Sequence, residues 1–208
     1  MRVISGTARG RKLLSLDGLH TRPTTDRVKE AIFNMVMPYV RDGAVLDLFA
    51  GSGALGIEAL SRGAACSTFL ENSRAAADVI RQNLENTKLS ENAKLIEGDA
   101  LAFLSKVQGK YTLIFLDPPY DGGFYTPVLS LIAERALLQP DGVLILEKRA
   151  DMDIPLPCGL EILKERKYGK TTILIIGNER KEINDEENLF YRFMSGSVPV
   201  RHGTDRIC

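Results

Sequence analysis

The sequence has no long apolar run and few cysteines, and each absence excludes a class of protein. No run approaches the ~20 apolar residues that a membrane-spanning helix needs, and residues 1–12 lack the apolar stretch of a secretory signal. The three cysteines (Cys66, Cys158 and Cys208) are widely spaced without a C-x-x-C pair, so we predict neither a disulfide framework nor a zinc site. We therefore expect a cytoplasmic protein that contacts no membrane, and we predict no metal among its site residues.

The sequence also has no net charge, although its charges are unevenly distributed. Its 208 residues are 44% hydrophobic and 26% charged, which is ordinary for a soluble globular chain, and this length favours one α/β domain with a small appendage. Residues 1–29 hold seven basic residues but only two acidic ones. A local basic excess is typical of a segment that contacts a polyanion, but it fits a solvated surface arm equally well.

From residue 42 onward, short apolar runs alternate with stretches of helical spacing. The predicted strands are 45–48, 67–71, 93–97, 111–116 and 142–147, followed by a hairpin of 160–168 and 171–176. The predicted helices include 73–87, 100–107 and 126–138. Continuous apolar strands that alternate with helices indicate a mostly parallel sheet with helices on both faces, and the hairpin adds one antiparallel strand. We therefore divide the chain into a basic arm or hairpin with a helix, an α/β core and a polar tail, at 1–41, 42–178 and 179–208.

The first strand of the core runs into a glycine-rich turn. Gly51, Gly53 and Gly56 fit the G-x-G-x-x-G spacing of nucleotide-binding turns, in which glycine lets a ligand approach the main chain. That spacing alone is weak, because a close strand-to-helix packing turn has the same composition. The turn predicts a nucleotide site only together with other residues of the sheet.

Acidic residues stand at the ends of several predicted strands, where the ligand of an open α/β sheet lies. Glu71 and Asp117 end strands, Asp99 follows the third strand, and Asp47 lies within the first. Glu71 comes 24 residues after Asp47, close to the spacing at which an acid accepts hydrogen bonds from ribose hydroxyls. Each acid could instead cap a helix or lie in a solvated loop, and for Asp99 a helix that starts at Ala100 is the direct alternative.

The fourth predicted strand ends at Asp117-Pro118-Pro119-Tyr120. The two prolines fix the backbone and remove two amide donors, but they keep both carbonyl acceptors. An acid, a carbonyl and an aromatic ring are thus presented together, and this set can accept hydrogen bonds from an exocyclic amine and stack on its ring. At this place in a nucleotide-binding sheet, the motif predicts a site for a substrate amine.

Together, DLFAGSGALGIEAL and DPPY resemble an S-adenosylmethionine-dependent methyltransferase with the class I Rossmann-like fold. The segments RVISGTARGRKL, RPTTDRVKEAIFN and DGVLILEK are further similar to the bacterial 16S ribosomal RNA guanine-N2 methyltransferase family. The resemblance extends over residues 1–177 and leaves the tail uncovered. It implies that residues 42–178 form a catalytic domain, which moves a methyl group from S-adenosylmethionine to a guanine N2 amine of 16S ribosomal RNA.

The resemblance also implies a role for each motif residue. The residues implied in cofactor binding are Asp47, Phe49, Ala50, Gly51, Gly53, Glu71, Asp99 and Ala100. Among these, Glu71 would hold the ribose hydroxyls and Asp99 the adenine amine. The residues implied in catalysis are Asp117, Pro118, Pro119 and Tyr120. The candidates for RNA phosphate contacts are Arg9, Arg11, Lys12 and Arg22.

Other interpretations fit part of the pattern. DPPY also suits adenine-N6 methylation of DNA, although the N-terminal motifs argue against it, and a glutamine-N5 protein methyltransferase would favour Asn where this chain has Asp117. A non-catalytic nucleic-acid-binding domain would not need both complete motifs, and a nicotinamide-dependent oxidoreductase leaves the double proline unexplained. The modified guanine, the role of the tail, and the choice between free RNA and an assembled or assembling small subunit stay open. A monomer is the simplest expectation.

Overall fold

The computed structural model describes residues 1–15, 26–120 and 122–179, which form a seven-stranded sheet with five α-helices. The helices are α1 (Asp26–Val40), α2 (Ala54–Ser61), α3 (Arg74–Thr87), α4 (Ala100–Leu104) and α5 (Tyr125–Glu134). The strands are β1 (Ala44–Leu48), β2 (Cys66–Glu71), β3 (Ala93–Glu97), β4 (Tyr111–Leu116), β5 (Leu138–Arg149), β6 (Leu160–Tyr168) and β7 (Thr171–Asn178). Within these ranges, no helix is both long and apolar enough to cross a membrane. The predicted tail lies outside them from residue 180 onward.

The strand order across the sheet is β3-β2-β1-β4-β5-β7-β6. Strands β1 to β5 pair in parallel, whereas β7 pairs antiparallel with both β5 and β6. A tight turn joins β6 to β7, since Gly169 adopts a φ of 63° that suits glycine. The predicted mostly parallel sheet with one antiparallel strand is confirmed.

Side chains of the strands point alternately into two apolar cores, one on each face of the sheet. On one face, α1, α2 and α3 pack on a core that includes Phe33, Phe69 and Phe115. On the other face, α4 and α5 cover a core that includes Leu46 and Leu116. Helices thus lie on both faces, as predicted, and the central strands are continuously apolar because both of their sides are covered.

Residues 1–15 pack on the domain instead of extending away from it. An antiparallel bridge pairs Arg2 with Lys12, so the segment forms a short hairpin-like loop. Val3 and Ala8 are buried in the same core as α1 and α2. The basic N-terminal segment is therefore part of the folded body, although its charged side chains face solvent.

A buried ion network fastens this loop to two helices. The Glu58 carboxylate of α2 accepts hydrogen bonds from the main-chain amides of residues 4 and 5, at 2.8 and 3.0 Å. It also pairs with Lys29 of α1 and with Arg62, at 3.1 and 2.7 Å. Lys29 donates in addition to the Arg2 carbonyl at 2.6 Å. The side chains of Lys29 and Glu58 are fully buried, and burial of such charges is tolerated only when every partner is present.

Several element boundaries differ from the sequence-based expectation. The helices predicted over 100–107 and 126–138 end at Leu104 and Glu134. Strand β5 begins at Leu138, because this residue pairs with Tyr111 ahead of an irregularity in the β4–β5 ladder. An apolar residue such as Leu138 fits helical spacing and strand alike, so periodicity alone assigned it to a helix although it begins β5.

Candidate active site

The chain reverses its direction of strand addition between β1 and β4, which creates a crevice at the carboxyl ends of these strands. Strands β2 and β3 follow on one side of β1, whereas β4 and β5 follow on the other. Leu48 and Leu116 pair at the last position of β1 and β4. The glycine turn and the Asp-Pro-Pro-Tyr motif therefore leave the sheet side by side.

The main chain after β1 takes an unusual course. Phe49, Gly51 and Gly53 have φ angles of 61°, 57° and 74°, in the region that favours glycine. Such a backbone at a bulky residue is strained, and strain of this kind clusters at ligand sites. Ala50 is buried under the turn, where its amide donates to the Leu70 carbonyl at 3.0 Å. A Cβ built on Gly51 would meet no atom within 4 Å, so this part of the turn faces open space that a ligand can enter.

Gly56 and Asp47 support the turn from below. A Cβ on Gly56 would lie 2.3 Å from the Phe69 ring, so only glycine lets α2 pack this closely on β2. The Gly56 amide donates to the Asp47 carboxylate at 2.8 Å, which satisfies a free amide in the first turn of α2. Burial raises the pKa of Asp47 to about 7, opposed by the Gly56 hydrogen bond and reinforced by the charge of Glu71. A buried carboxyl with a raised pKa is a common feature of ligand sites.

Glu71 joins the end of β2 to the glycine turn. One carboxylate oxygen accepts from the Gly51 amide and the other from the Ser73 amide, both at 2.8 Å. Each oxygen of an ionised carboxylate has a further lone pair, so these contacts leave capacity for hydroxyl donors. The structure thus brings Glu71 and Gly51, which are both predicted cofactor residues, into direct contact.

Asp99 caps the short helix α4. Its Oδ1 atom accepts from the Ala102 amide at 2.8 Å, and Ala100 is buried at the first position of the helix. The helix-cap alternative for Asp99 is therefore present in the structure. Such a cap uses one carboxylate oxygen and leaves the second able to accept a hydrogen bond from a ligand.

Asn83 of α3 was not among the predicted site residues, yet it holds the outer side of the glycine turn. Its side-chain amide donates to the carbonyls of Ser52 and Leu14, at 2.9 and 3.0 Å, and its oxygen accepts from the Leu14 amide at 2.7 Å. Asn83 is fully buried. It ties the N-terminal segment to the turn, and a polar residue on the apolar face of a helix was its only sequence signal.

The Asp-Pro-Pro-Tyr motif lies at the mouth of the crevice. Pro118 is buried and Pro119 exposed, whereas Asp117 and Tyr120 are half-buried. Burial raises the pKa of Asp117 well above its usual range, and the negative charge of Glu147 raises it further. Burial also raises the pKa of the Tyr120 hydroxyl. The motif thus places an acid, two prolines and an aromatic residue together after β4, and the binding of a substrate amine there stays a prediction.

Glu147 is a second acid in this cluster, and it was not predicted as a site residue. The β4–β5 register pairs Leu116 with Leu146, so Asp117 and Glu147 come next on neighbouring strands. The Tyr125 hydroxyl of α5 donates to the Glu147 main-chain carbonyl at 2.9 Å. An acid at the end of an apolar strand is the same signal that identified Glu71 and Asp117, and it would have identified Glu147 as well.

A ring contact connects the two sides of the crevice. Phe49 of the glycine turn packs against Phe124, which directly precedes α5. The ring centroids are 5.0 Å apart and the planes are tilted by 56°, a favourable geometry for two aromatic side chains. This contact joins the glycine turn to the segment that follows the Asp-Pro-Pro-Tyr motif.

The predicted RNA-contacting residues belong to the N-terminal segment. Arg9, Arg11 and Lys12 are exposed, and Arg22 lies outside the described residues. Arg11 donates to the Asn86 carbonyl at 2.5 Å in the last turn of α3, where the helix dipole favours a cation. Arg11 thus lies beside α3, and Arg9 and Lys12 are exposed in the same segment.

Strand order, glycine turn and Asp-Pro-Pro-Tyr motif at the switch point together define a class I methyltransferase fold. A solved structure, the putative methyltransferase yhhF from Escherichia coli, matches with a TM-score of 0.79 at 36% identity. The match covers 87% of this chain and 99% of that one. The fold class expected from the sequence is confirmed.

At the level of sequence, residues 1–177 match the family described as conserved hypothetical protein 95, and the chain belongs to this family. The putative rRNA methyltransferase YlbH of Bacillus subtilis is 42% identical over 179 residues, which cover 84% of this chain and 97% of that protein. The ribosomal RNA small subunit methyltransferase D of Haemophilus influenzae is 41% identical over 172 residues, which cover 81% and 89%. The resemblance stated from the sequence is confirmed.

The crevice has the features that S-adenosylmethionine requires. The main chain at Gly51 opens onto free space, and Glu71 and Asp99 provide carboxylate oxygens for hydroxyl and amine donors. Buried Asp47 adds a carboxyl beneath the turn, which suits a positively charged ligand. Among the described residues, no group of three or more His, Cys, Asp or Glu could hold a metal ion.

Proposed function

We propose that the protein transfers a methyl group from S-adenosylmethionine to the exocyclic N2 amine of a guanine in 16S ribosomal RNA. The observation that carries this proposal is the position of Asp117-Pro118-Pro119-Tyr120 at the carboxyl end of β4, beside the glycine turn of β1. The names of two relatives, both described as ribosomal RNA methyltransferases, support an RNA substrate. A cytoplasmic monomer that acts on the RNA, either free or within the small subunit, belongs to the same proposal.

When bound, S-adenosylmethionine supplies a methyl group on a positively charged sulfur. The residues that would hold its methionine part are Phe49, Ala50, Gly51 and Gly53. The Asp47 carboxyl lies beneath them and contributes negative charge when ionised. Glu71 would accept hydrogen bonds from the ribose hydroxyls, and Asp99 would accept one from the adenine amine beside Ala100.

The Asp-Pro-Pro-Tyr motif would activate the target amine. The amine of guanine is a poor nucleophile because its lone pair is delocalised into the ring. The Asp117 carboxylate and the Pro118 carbonyl would accept hydrogen bonds from its two N–H groups, which favours a pyramidal nitrogen with an available lone pair. Tyr120 would stack on the base, and positioning of this kind can supply on the order of 7–11 kcal/mol.

Asp117 also provides a destination for the proton that the reaction releases. The nitrogen would form its bond to the methyl carbon as the carbon–sulfur bond breaks, which leaves a neutral thioether. The nitrogen would then be positively charged and would have to lose one proton. Burial raises the pKa of the Asp117 carboxyl, so this group holds a proton more readily than an exposed acid does. The carboxylate that accepts the amine hydrogen bond can therefore take the proton and pass it to solvent.

The exposed cations of the N-terminal segment would position the RNA. A base inside a double helix cannot reach the crevice, so the target guanine must be unpaired or flipped out. Arg9, Arg11 and Lys12 are exposed on the folded body, where they can neutralise backbone phosphates without reading sequence. Arg22, which lies outside the described residues, stays a candidate for the same phosphate contacts from its sequence alone.

The test of this proposal separates binding from transfer. Replacing Asp117 with Ala is expected to keep S-adenosylmethionine binding and to lower methyl transfer at least ~100-fold, because the amine loses its acceptor. Binding is measured by calorimetry and transfer with a labelled methyl group. The control is Asp141→Ala, an exposed acid near the amino end of β5, which should change neither. An equal loss of binding and transfer in the Asp117 variant contradicts the assigned role.

A further inference from the structure

The carboxyl of Glu147 is an acceptor that the proposed reaction leaves unused. The two N–H groups of the target amine already have acceptors in Asp117 and the Pro118 carbonyl. The Oε2 atom of Glu147 is buried, and it has no hydrogen-bond partner among the described residues. A buried oxygen without a hydrogen-bond partner lowers the stability of the folded protein, so its presence requires an explanation. One explanation is that a bound ligand donates the missing hydrogen bond.

Glu147 is held beside the ring that is proposed to stack on the base. The Tyr120 hydroxyl lies close enough to the Glu147 carboxyl for each group to shift the pKa of the other. The Tyr125 hydroxyl fixes the Glu147 main chain through its carbonyl. The terminal torsion of a glutamate is soft, so the carboxyl can turn an oxygen toward the crevice while its main chain stays in place.

The surroundings of Glu147 favour an N–H donor as the missing partner. Burial raises the pKa of the Glu147 carboxyl, and the nearby Tyr120 hydroxyl opposes this rise. The ionisable groups around the carboxyls of Glu147 and Asp117 are Asp47, Tyr120, Tyr125 and Arg149. Arg149, the cation of this set, is paired with Asp151 at 3.1 Å. A neutral donor from a base would therefore satisfy the carboxyl without competing with an existing ion pair.

The hydrogen-bonding edge of guanine matches this set of acceptors. Guanine presents three N–H groups together, two on N2 and one on N1, and a flipped base is read on this edge. Asp117, the Pro118 carbonyl and Glu147 provide one acceptor for each. Adenine presents two N–H groups on N6 but a lone pair at N1, so the Glu147 carboxylate would face another acceptor.

We propose that Glu147 selects guanine by accepting a hydrogen bond from its N1–H group. This inference rests on the proposed function and adds to it the residue that distinguishes guanine from adenine. A site built to bond a particular donor rejects an analogue that lacks it, because the polar group of the protein is then left without a partner.

The base analogue 2-aminopurine isolates this contact, since it keeps the 2-amino group but has an acceptor at N1. Once the methylated position has been mapped with the wild-type protein, two RNAs are compared that carry guanine or 2-aminopurine there. We expect the wild type to have at least ~100-fold higher kcat/KM for guanine. In Glu147→Gln, the side-chain amide can donate to N1 of 2-aminopurine. The ratio of kcat/KM for the guanine RNA to that for the 2-aminopurine RNA should therefore fall at least ~10-fold. Intrinsic differences in amine reactivity cancel when the two ratios are compared.

Two further variants and a binding measurement complete the test. Glu147→Asp keeps a carboxylate and should retain a preference for guanine, and Glu134→Gln, an exposed acid of α5, should keep the full ratio. Fluorescence anisotropy of the two RNAs, measured without the methyl donor, should show a preference for guanine that Glu147→Gln loses. These controls separate base selection from a general loss of structure.

The outcomes are distinct for the inference and for the function on which it rests. The proposed role of Glu147 in selecting guanine is overturned if the wild type methylates both RNAs equally well, or if Glu147→Gln leaves the kcat/KM ratio of the two RNAs unchanged. In both cases guanine is still methylated, so the proposed function stands. If the wild type does not methylate guanine, the proposed function itself fails. The comparison of the two RNAs with the wild-type protein tests whether the N1–H group is recognised even if a variant does not fold.

Discussion

Replacing Asp47 with Asn removes a charge from beneath the glycine turn but keeps an oxygen that can accept from the Gly56 amide. Asp47 is 3% exposed, and burial raises its pKa from the usual 3.8 to about 7. The folded protein therefore binds this proton more tightly than the unfolded chain does. In consequence, the free energy of unfolding falls as the pH rises from about 4 through about 7. Asn does not titrate, so the variant lacks this loss.

The size of the effect follows from the displaced pKa. One pKa unit corresponds to about 1.4 kcal/mol, so a rise from 3.8 to about 7 corresponds to roughly 4 kcal/mol. We expect Asp47→Asn to gain roughly this much stability relative to the wild type between about pH 4 and pH 8. Any constant cost of burying the new amide shifts the whole curve and leaves this change intact. The raised pKa values of Asp117 and Glu147 affect both proteins and largely cancel in the difference.

Urea unfolding followed by circular dichroism, at a series of pH values and without cofactor, measures this difference. Asp42→Asn is a matched control, because Asp42 is exposed and has a φ of 56° that Asn tolerates. The control should leave the pH profile of stability unchanged. A difference between Asp47→Asn and wild type that stays constant within about 0.5 kcal/mol over this range refutes the reasoning.

Two predictions concern the N-terminal segment. Lys29→Met should lower the free energy of unfolding, measured with urea, by about 3–5 kcal/mol, because buried Glu58 loses a charged partner. The control is Lys110→Met at an exposed position, and an equal loss in both variants would contradict a stabilising role for the Lys29–Glu58 pair. Neutralising the exposed cations of the N-terminal segment should weaken RNA binding and reduce the slope of log K for RNA against log salt by about 2. A slope equal to that of the control variant would show that these cations do not contact RNA phosphates. The positions changed to Gln are Arg9, Arg11 and Lys12, and the control changes Lys94, Lys106 and Lys110.

The sheet and the central motifs were predictable because their signals are local. Continuous apolar runs mark strands covered on both faces, and Gly169 marks the turn that makes β7 antiparallel. The Asp-Pro-Pro-Tyr motif needs only its own composition and its place after β4 to indicate an amine site. The glycine turn was weaker alone, and the φ of 61° at Phe49 could not be anticipated, since nothing local requires a bulky residue to adopt it.

The remaining features depend on contacts between distant parts of the chain. Asn83 bonds to Leu14 and Ser52, and no spacing within α3 indicates either partner. The pairing of Lys29 with Glu58 likewise joins two helices whose sequences show two ordinary charged residues. Glu147 differs from these residues, because its position after the apolar residues of β5 is a local signal like those of Glu71 and Asp117.

The central claim is methyl transfer to guanine N2 in 16S ribosomal RNA, and identification of the product nucleoside tests it most directly. The protein is incubated with S-adenosylmethionine carrying a labelled methyl group and with undermethylated small subunits, free ribosomal RNA, DNA or protein. We predict label in RNA as N2-methylguanosine, lowered at least ~100-fold with Asp117→Ala. Label in N6-methyladenine of DNA, or on a glutamine side chain of a protein, would contradict it.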